Sequence, residues 1–299
     1  MPAIFSYDGM VSSLLGSSPL VTVEQLAAAA PDEAIRIVDT RWKLGSPEAG
    51  RQMFEAEHIP GAVHLDMDRD LAAPPGLGGR HPLPEAADFA EALSRAGVDA
   101  NTLVVAYDDG DGLGAPRLWW LLRHFGHQQA VVLDGGFAAW KAAGLPTESG
   151  AGQNPPRRQF EAHPRSDDFM DTDEVRSALE RGAIHLLDAR APERWRGETE
   201  PVDREPGRIP GSINAPAGAN LEGARFRSAE ALRQHYEQLG ILDGKPIVAS
   251  CGSGVSACAD LLGMEIAGIE GAKLYPGSYS GWVAKNLPVE RGEPHAQGS

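Results

Sequence analysis

The sequence predicts an α/β fold made twice over: two tandem domains, each a mainly parallel sheet flanked by helices. Three observations carry this. First, motifs recur in a fixed order. Ile37-Val-Asp39-Thr-Arg41 returns as Leu186-Leu-Asp188-Ala-Arg190, and His58-Ile-Pro-Gly61 returns as Arg208-Ile-Pro-Gly211. Leu133-Asp-Gly135-Gly-Phe-Ala-Ala-Trp140 returns as Tyr275-Pro-Gly277-Ser-Tyr-Ser-Gly-Trp282, and Gly144-Leu-Pro as Asn286-Leu-Pro. The spacing runs from 142 residues (Trp140 to Trp282) to 150 (His58 to Arg208). That is far longer than a solenoid unit, so each copy is expected to own a core. Second, short apolar runs alternate with helical periodicities. Third, runs such as Thr102 to Ala106 have almost no polar alternation, as strands buried on both faces do.

Within the first copy, Thr22 reads as the N-cap of a helix over 22–30, with Gln25 three residues on completing a capping box. Ala34 to Val38 is a strand. Glu85 to Ala96 is a helix that stops before Gly97. Thr102 to Ala106 is the central strand, Ala115 to Phe125 a helix, Ala130 to Leu133 a strand, and Phe137 to Ala143 a helix ending at Gly144. The second copy repeats the order from Asp171 to Gly292. Pro155-Pro156 and the polar residues around them mark 148–168 as a linker. The expected domains are therefore 1–147 and 169–299.

Composition narrows the function. The chain has 299 residues and 42% hydrophobic content, enough for two packed cores. A net charge of −15 argues against nucleic acid or an anionic membrane as partner. No apolar run is long enough to span a bilayer, and Met1 to Gly9 lacks a signal-peptide pattern. The two cysteines, seven positions apart, form no disulfide framework, and no Cys/His cluster suggests zinc. A cytoplasmic location is expected.

Chemistry concentrates at Pro246-Ile-Val-Ala-Ser-Cys251-Gly-Ser253-Gly-Val-Ser-Ala-Cys258. Ile247 to Ala249 reads as a buried strand and Ala257 to Ile266 as a helix. Cys251 thus sits at a Gly-rich strand-to-helix corner, where backbone N–H groups converge and stabilise an anion. A buried, inert cysteine is the ordinary alternative, but a merely structural corner does not need so many small residues and potential donors. Cys258, inside the helix, reads as packing. Two other motif readings fail. Gly252-Ser-Gly254-Val-Ser-Ala257 fits a dinucleotide fingerprint, yet too little chain follows for a Rossmann domain. A Cys-dependent phosphatase needs an arginine six residues after the cysteine, and Ala257 stands there. Aligning the copies puts Asp108 at the position of Cys251, so only the second copy carries the nucleophile. The first is expected to be catalytically silent.

Cys251-Gly-Ser-Gly-Val-Ser-Ala-Cys258 resembles the loop of the 3-mercaptopyruvate sulfurtransferases, two-domain enzymes of the rhodanese family. It departs from the usual loop at Ser256, where threonine is common. The tandem repeat, the Ile-Pro-Gly turns and the Gly-Ser-x-x-x-Trp stretch ending at Trp282 match as well, over about Leu20 to Gly292. Tyr279 replaces a tryptophan frequent in the family. The resemblance implies a catalytic Cys251 within a substrate-binding loop of Gly252, Gly254, Val255 and Ser256. It implies a relay of Asp68, His81 and Ser253 from the first domain to the loop. It also implies two arginines on the substrate carboxylate: Arg194, and Arg204 with one residue of extra spacing. Arg41 and Arg190, each two residues after a strand-end aspartate, occur in both copies and so read as structural Asp–Arg braces.

The expected reaction moves a sulfur from 3-mercaptopyruvate through a Cys251 persulfide to a thiol acceptor such as thioredoxin or a small thiol, or to cyanide. It needs no metal and no organic cofactor. Thiosulfate-preferring relatives carry two basic residues after the cysteine, where Gly252 and Ser253 stand here. A thiosulfate sulfurtransferase on the same scaffold, or a non-catalytic sulfur carrier, are the alternatives.

Overall fold

The fold is that of a computed structural model, which describes Leu14, Gly16 and residues 18–29 and 32–292. Met1 to Gly9 and Ala30, on which readings above fell, lie outside the described residues. The described chain forms two compact units. They are not simply its two halves. Pro74–Pro82 belongs to the second unit, and Leu221–Ser228 to the first. The expected linker is no free tether, since residues up to Ser166 belong to unit 1. Phe160 is buried edge-to-face with Phe89, ring centres 5.9 Å apart, and Arg158 donates to the Glu33 carbonyl.

In unit 1, β1 (Leu20–Val21) leads into α1 (Val23–Ala29). Its capping box forms as expected: Gln25 N–H donates to Thr22 Oγ1 at 3.2 Å, and Thr22 N–H to Gln25 Oε1 at 2.8 Å. Then come β2 (Ile35–Asp39), α2 (Ala49–Ala56), β3 (Val63–His64), α3 (Ala86–Arg95) and β4 (Leu103–Tyr107). α4 (Gly114–His124), β5 (Ala130–Leu133) and α5 (Gly136–Ala142) follow. The sheet is parallel throughout, in the order β1-β5-β4-β2-β3. Every residue of the central β4 is buried, which is why its sequence lacks alternation.

Unit 2 opens with α6 (Thr172–Glu180), capped by an Asp171/Glu174 box, then β6 (His185–Asp188), α7 (Pro192–Trp195) and β7 (Ile213–Asn214). A two-strand hairpin, β8 (Leu221–Glu222) and β9 (Arg225–Phe226), returns to unit 1, where Asp134 accepts the Phe226 N–H at 2.9 Å. Unit 2 resumes with α8 (Ala229–Gln238), β10 (Ile247–Ser250), α9 (Ala257–Ile266), β11 (Lys273–Leu274) and α10 (Ser278–Ala284). Its parallel sheet runs β11-β10-β6-β7.

The repeated motifs are repeated bonds. Trp140 Nε1 donates to the Pro146 carbonyl at 2.8 Å and Trp282 Nε1 to Pro288 at 2.7 Å, so each Trp…Leu-Pro pair closes one helix end. Each Ile-Pro-Gly turn places its glycine at positive φ, +77° at Gly61 and +79° at Gly211, a backbone conformation that residues with a side chain rarely adopt. Asp39–Arg41 and Asp188–Arg190 are buried ion pairs with Nη2–Oδ2 distances of 2.6 and 2.7 Å. Each arginine also reaches backbone carbonyls, Arg41 those of Met53 and Glu57 and Arg190 that of Gly207, so the pairs brace chain turns as expected.

Candidate active site

Cys251 follows β10 directly and is 2% exposed. Its sulfur accepts the N–H groups of Ser253 at 3.4 Å and Gly254 at 3.1 Å. The loop is pinned from the other side by the start of α10. Tyr279 N–H donates to the Cys251 carbonyl and Ser280 N–H to the Gly252 carbonyl, both at 2.9 Å. With those carbonyls held outward, the next two amides turn in toward sulfur. Gly254 makes this turn at φ +80°, and a Cβ there would stand 2.7 Å from the Pro276 carbonyl oxygen, so only glycine fits. Val255 and Ser256 open α9, their carbonyls accepting the N–H groups of Cys258 and Ala259 at 3.0 Å. Cys258 is fully buried and donates to the Gly254 carbonyl.

Ser278 was not apparent from the sequence. Its hydroxyl accepts the Cys251 N–H at 3.0 Å and donates to the Tyr275 carbonyl at 2.9 Å. It does so at φ +50°, a region a serine enters only at a cost. The equivalent residue in unit 1 is Gly136, also at positive φ (+54°). That exchange of glycine for serine between the copies was the signal available.

His81 and Ser253 come together: Nδ1 and Oγ are 2.7 Å apart, with the two residues 4% and 6% exposed. His81 reaches the loop because Pro74–Pro82 is part of unit 2. Asp68, the other expected member of the relay, is an exposed residue of the turn after β3 in unit 1, where its carboxylate accepts the Trp42 indole N–H at 3.3 Å.

Around Gly252 the side chains are charged after all. Arg194, in α7, lies with Nη2 2.7 Å from Glu200 Oε1 and 3.3 Å from Asp203 Oδ2. Glu200 is also within 3.3 Å of Arg190, whose guanidinium stacks 3.9 Å from the Tyr279 ring centre. Burial works against charge on Glu200, yet Arg194 and the Asp203 and Val202 N–H groups hold its carboxyl below the ordinary carboxylate value. At Asp203 burial prevails over the pull of Arg80 and pushes the carboxyl up. Burial likewise raises Tyr279 to about 12, and its hydroxyl donates to the Glu205 carbonyl. Arg204 is engaged elsewhere: its Nη2 donates to the Val283 carbonyl at 2.6 Å and to Asn286 Oδ1, at the end of α10. Arg80, paired with Asp203, lies beside Gly252 together with Arg194. No motif flagged Arg80, since its partners lie 123 and 200 residues away.

The corner in unit 1 has the same construction with a different acceptor. Asp108 follows β4, its carbonyl accepts the Phe137 N–H at 2.8 Å, and its carboxylate takes the N–H groups of Gly110 and Ala115 at 2.9 and 3.1 Å. Both corners gather amides around one side chain: a sulfur in unit 2, a carboxylate in unit 1.

A parallel α/β unit made twice, with an amide-lined cysteine loop in one copy, is the architecture of a sulfur-handling domain pair. Residues 22–143 and 171–285 each match the rhodanese-like domain, and the chain belongs to the rhodanese family. It is 41% identical to a probable 3-mercaptopyruvate sulfurtransferase of Pseudomonas aeruginosa, over 93% of this chain and 100% of that one. It is 38% identical to human 3-mercaptopyruvate sulfurtransferase (91% and 94% covered) and 37% identical to a putative thiosulfate sulfurtransferase, SseB, of Mycobacterium tuberculosis (91% and 97%). Among solved structures it superposes on SseA of Escherichia coli, a 3-mercaptopyruvate sulfotransferase, with a TM-score of 0.78 and 31% identity, covering 88% of this chain and 99% of that one.

Proposed function

We propose that the chain is a 3-mercaptopyruvate sulfurtransferase and that Cys251 carries the sulfur. The observation that supports this most is the pair of N–H groups aimed at a buried Cys251 sulfur. Such preorganised donors stabilise negative charge on the attacking sulfur and on the persulfide that follows. In the first half-reaction Sγ attacks the substrate's thiol sulfur. The new S–S bond forms as the C3–S bond breaks, and the bonding electron pair leaves on C3 as the enolate of pyruvate. The proton from the substrate thiol is released from the persulfide and returns to that carbon. In this reading the Ser253 hydroxyl, hydrogen-bonded to His81, donates to the developing enolate oxygen, with Asp68 proposed as the outer member of the relay. Arg194 holds the carboxylate. In the second half-reaction a thiolate or cyanide attacks the outer sulfur, forms its own bond to it, and returns the electron pair to Cys251. Thioredoxin or a small thiol is the proposed acceptor. The cytoplasm is the matching compartment, because Cys251 must remain a free thiol, as both cysteines are here.

Steady-state assays with each donor, using cyanide as acceptor, test this. We expect kcat/KM for 3-mercaptopyruvate to exceed that for thiosulfate by at least about tenfold, a transition-state difference of about 1.4 kcal/mol. The reverse order assigns thiosulfate as donor. Turnover with neither donor leaves a sulfur carrier.

A further inference from the structure

Resting on the assignment of a 2-oxo-acid donor, we propose that Arg80 is the second guanidinium of the carboxylate site. It fills the role the family resemblance gave to Arg204, with Asp203 positioning it against Arg194. Four observations lead there.

The first is location. A Cβ built on Gly252, the residue after the nucleophile, would stand 2.8 Å from Arg80 Nη2 and 3.7 Å from Arg194 Nη1. Two guanidiniums therefore lie beside the residue that follows Cys251, and the end of Arg80 takes the room that a side chain at position 252 would need. The second is unsatisfied donor capacity. Arg80 binds Asp203 through Nη1, but its Nε is buried with no hydrogen-bond partner among the described residues. Leaving a buried donor unpaired is unfavourable, and an arginine serving only to pair with Asp203 has no reason to carry that penalty. The third is precedent in the molecule itself. Asp203 places Oδ1 on Arg80 and Oδ2 on Arg194, so the two guanidiniums already hold one carboxylate between them. A second carboxylate beside Gly252 would take their remaining donors, the Nε/Nη2 edge of Arg80 and Nη1 of Arg194, in the same bridging mode. The fourth is anchorage. Arg80 N–H donates to Ser280 Oγ at 3.1 Å, on the helix whose N-terminus pins the cysteine loop. Arg204 offers none of these, being bonded at the far end of that helix.

Mercaptoacetone, which is 3-mercaptopyruvate without its carboxylate, separates binding from mere structure. With 3-mercaptopyruvate we expect Arg80→Met to raise KM at least about tenfold, with kcat changed less than about threefold. This is the signature of lost ground-state binding. The penalty should disappear with mercaptoacetone, Arg80→Lys should recover part of it, and Arg204→Met should leave both donors within about twofold. Should Arg80→Met fail to fold, Gly252→Ala serves instead, because its methyl displaces the end of the Arg80 side chain and should raise KM for the carboxylated donor alone. An unchanged KM in both Arg80→Met and Gly252→Ala overturns the proposal, as does an equal penalty on both donors or a larger effect from Arg204→Met. Intact mass of the wild-type protein keeps this apart from the underlying assignment. If 3-mercaptopyruvate adds no sulfur to wild type, that assignment fails; if sulfur is added and the variants behave like wild type, only the Arg80 role fails.

Discussion

Ser278 shows how much a single residue can decide at this corner. Its backbone is held at φ +50°, at a cost on the order of 1–3 kcal/mol, while its hydroxyl takes the Cys251 N–H. Replacement with glycine should relieve the backbone and lose the bond. We expect Ser278→Gly to unfold at an equal or higher denaturant concentration than wild type while losing about tenfold in kcat, and Ser278→Ala to lose both stability and rate. Chemical denaturation beside a sulfur-transfer assay reads both. Cys251 was singled out by its Gly-rich strand-to-helix corner, whereas the roles expected of Ser253 and Arg194 came from the family resemblance and not from local pattern. Ser278 was legible only by comparing the copies, and Arg80 not at all. Its position depends on which unit the 74–82 loop joins, and no local pattern encodes that.

At the scale of elements, α9 departs most from expectation. An apolar face was expected, yet Ala257 through Met264 are all buried, including Asp260. Period alone cannot tell a one-sided helix from an enclosed one when small residues line its second face. Here α8 and the turn at Ala217–Asn220 cover that face. Asp260 Oδ1 accepts from Asn220 at 2.7 Å, Asn220 accepts from Tyr236, and Oδ2 has no partner among the described residues. Burial, aided by nearby Asp188, pushes the Asp260 carboxyl well above its ordinary value. The native state therefore holds a proton that the unfolded chain releases above its ordinary value of 3.8, and stability falls as pH rises from there toward the folded value. Asp260→Asn carries no such proton. Its unfolding midpoint relative to wild type should improve between pH 5 and pH 8, and thermal melts at the two values check this. A constant offset would mean Asp260 does not titrate differently on folding.

Across the whole molecule the repeat was the most legible feature, because it is written in paired bonds: Trp140–Pro146 with Trp282–Pro288, Asp39–Arg41 with Asp188–Arg190. The exchange of short segments between units was not legible. Pro74–Pro82 and Leu221–Ser228 are loop and hairpin pieces whose membership is decided by long-range packing rather than local propensity. The two copies also divide by the group they enclose. Unit 1 keeps a carboxyl side chain, Asp108, among its amides, and burial pushes that carboxyl's pKa up. Unit 2 offers the equivalent ring to a sulfur whose charge and covalent state change during turnover. The central claim is that the transferred sulfur resides on Cys251, and intact mass after incubation with 3-mercaptopyruvate and no acceptor tests it most directly. Wild type and Cys258→Ser should each gain about 32 Da, one sulfur atom, and lose it again on adding a thiol, while Cys251→Ser gains nothing. A Cys251→Ser protein that still takes up and releases the sulfur would contradict the account.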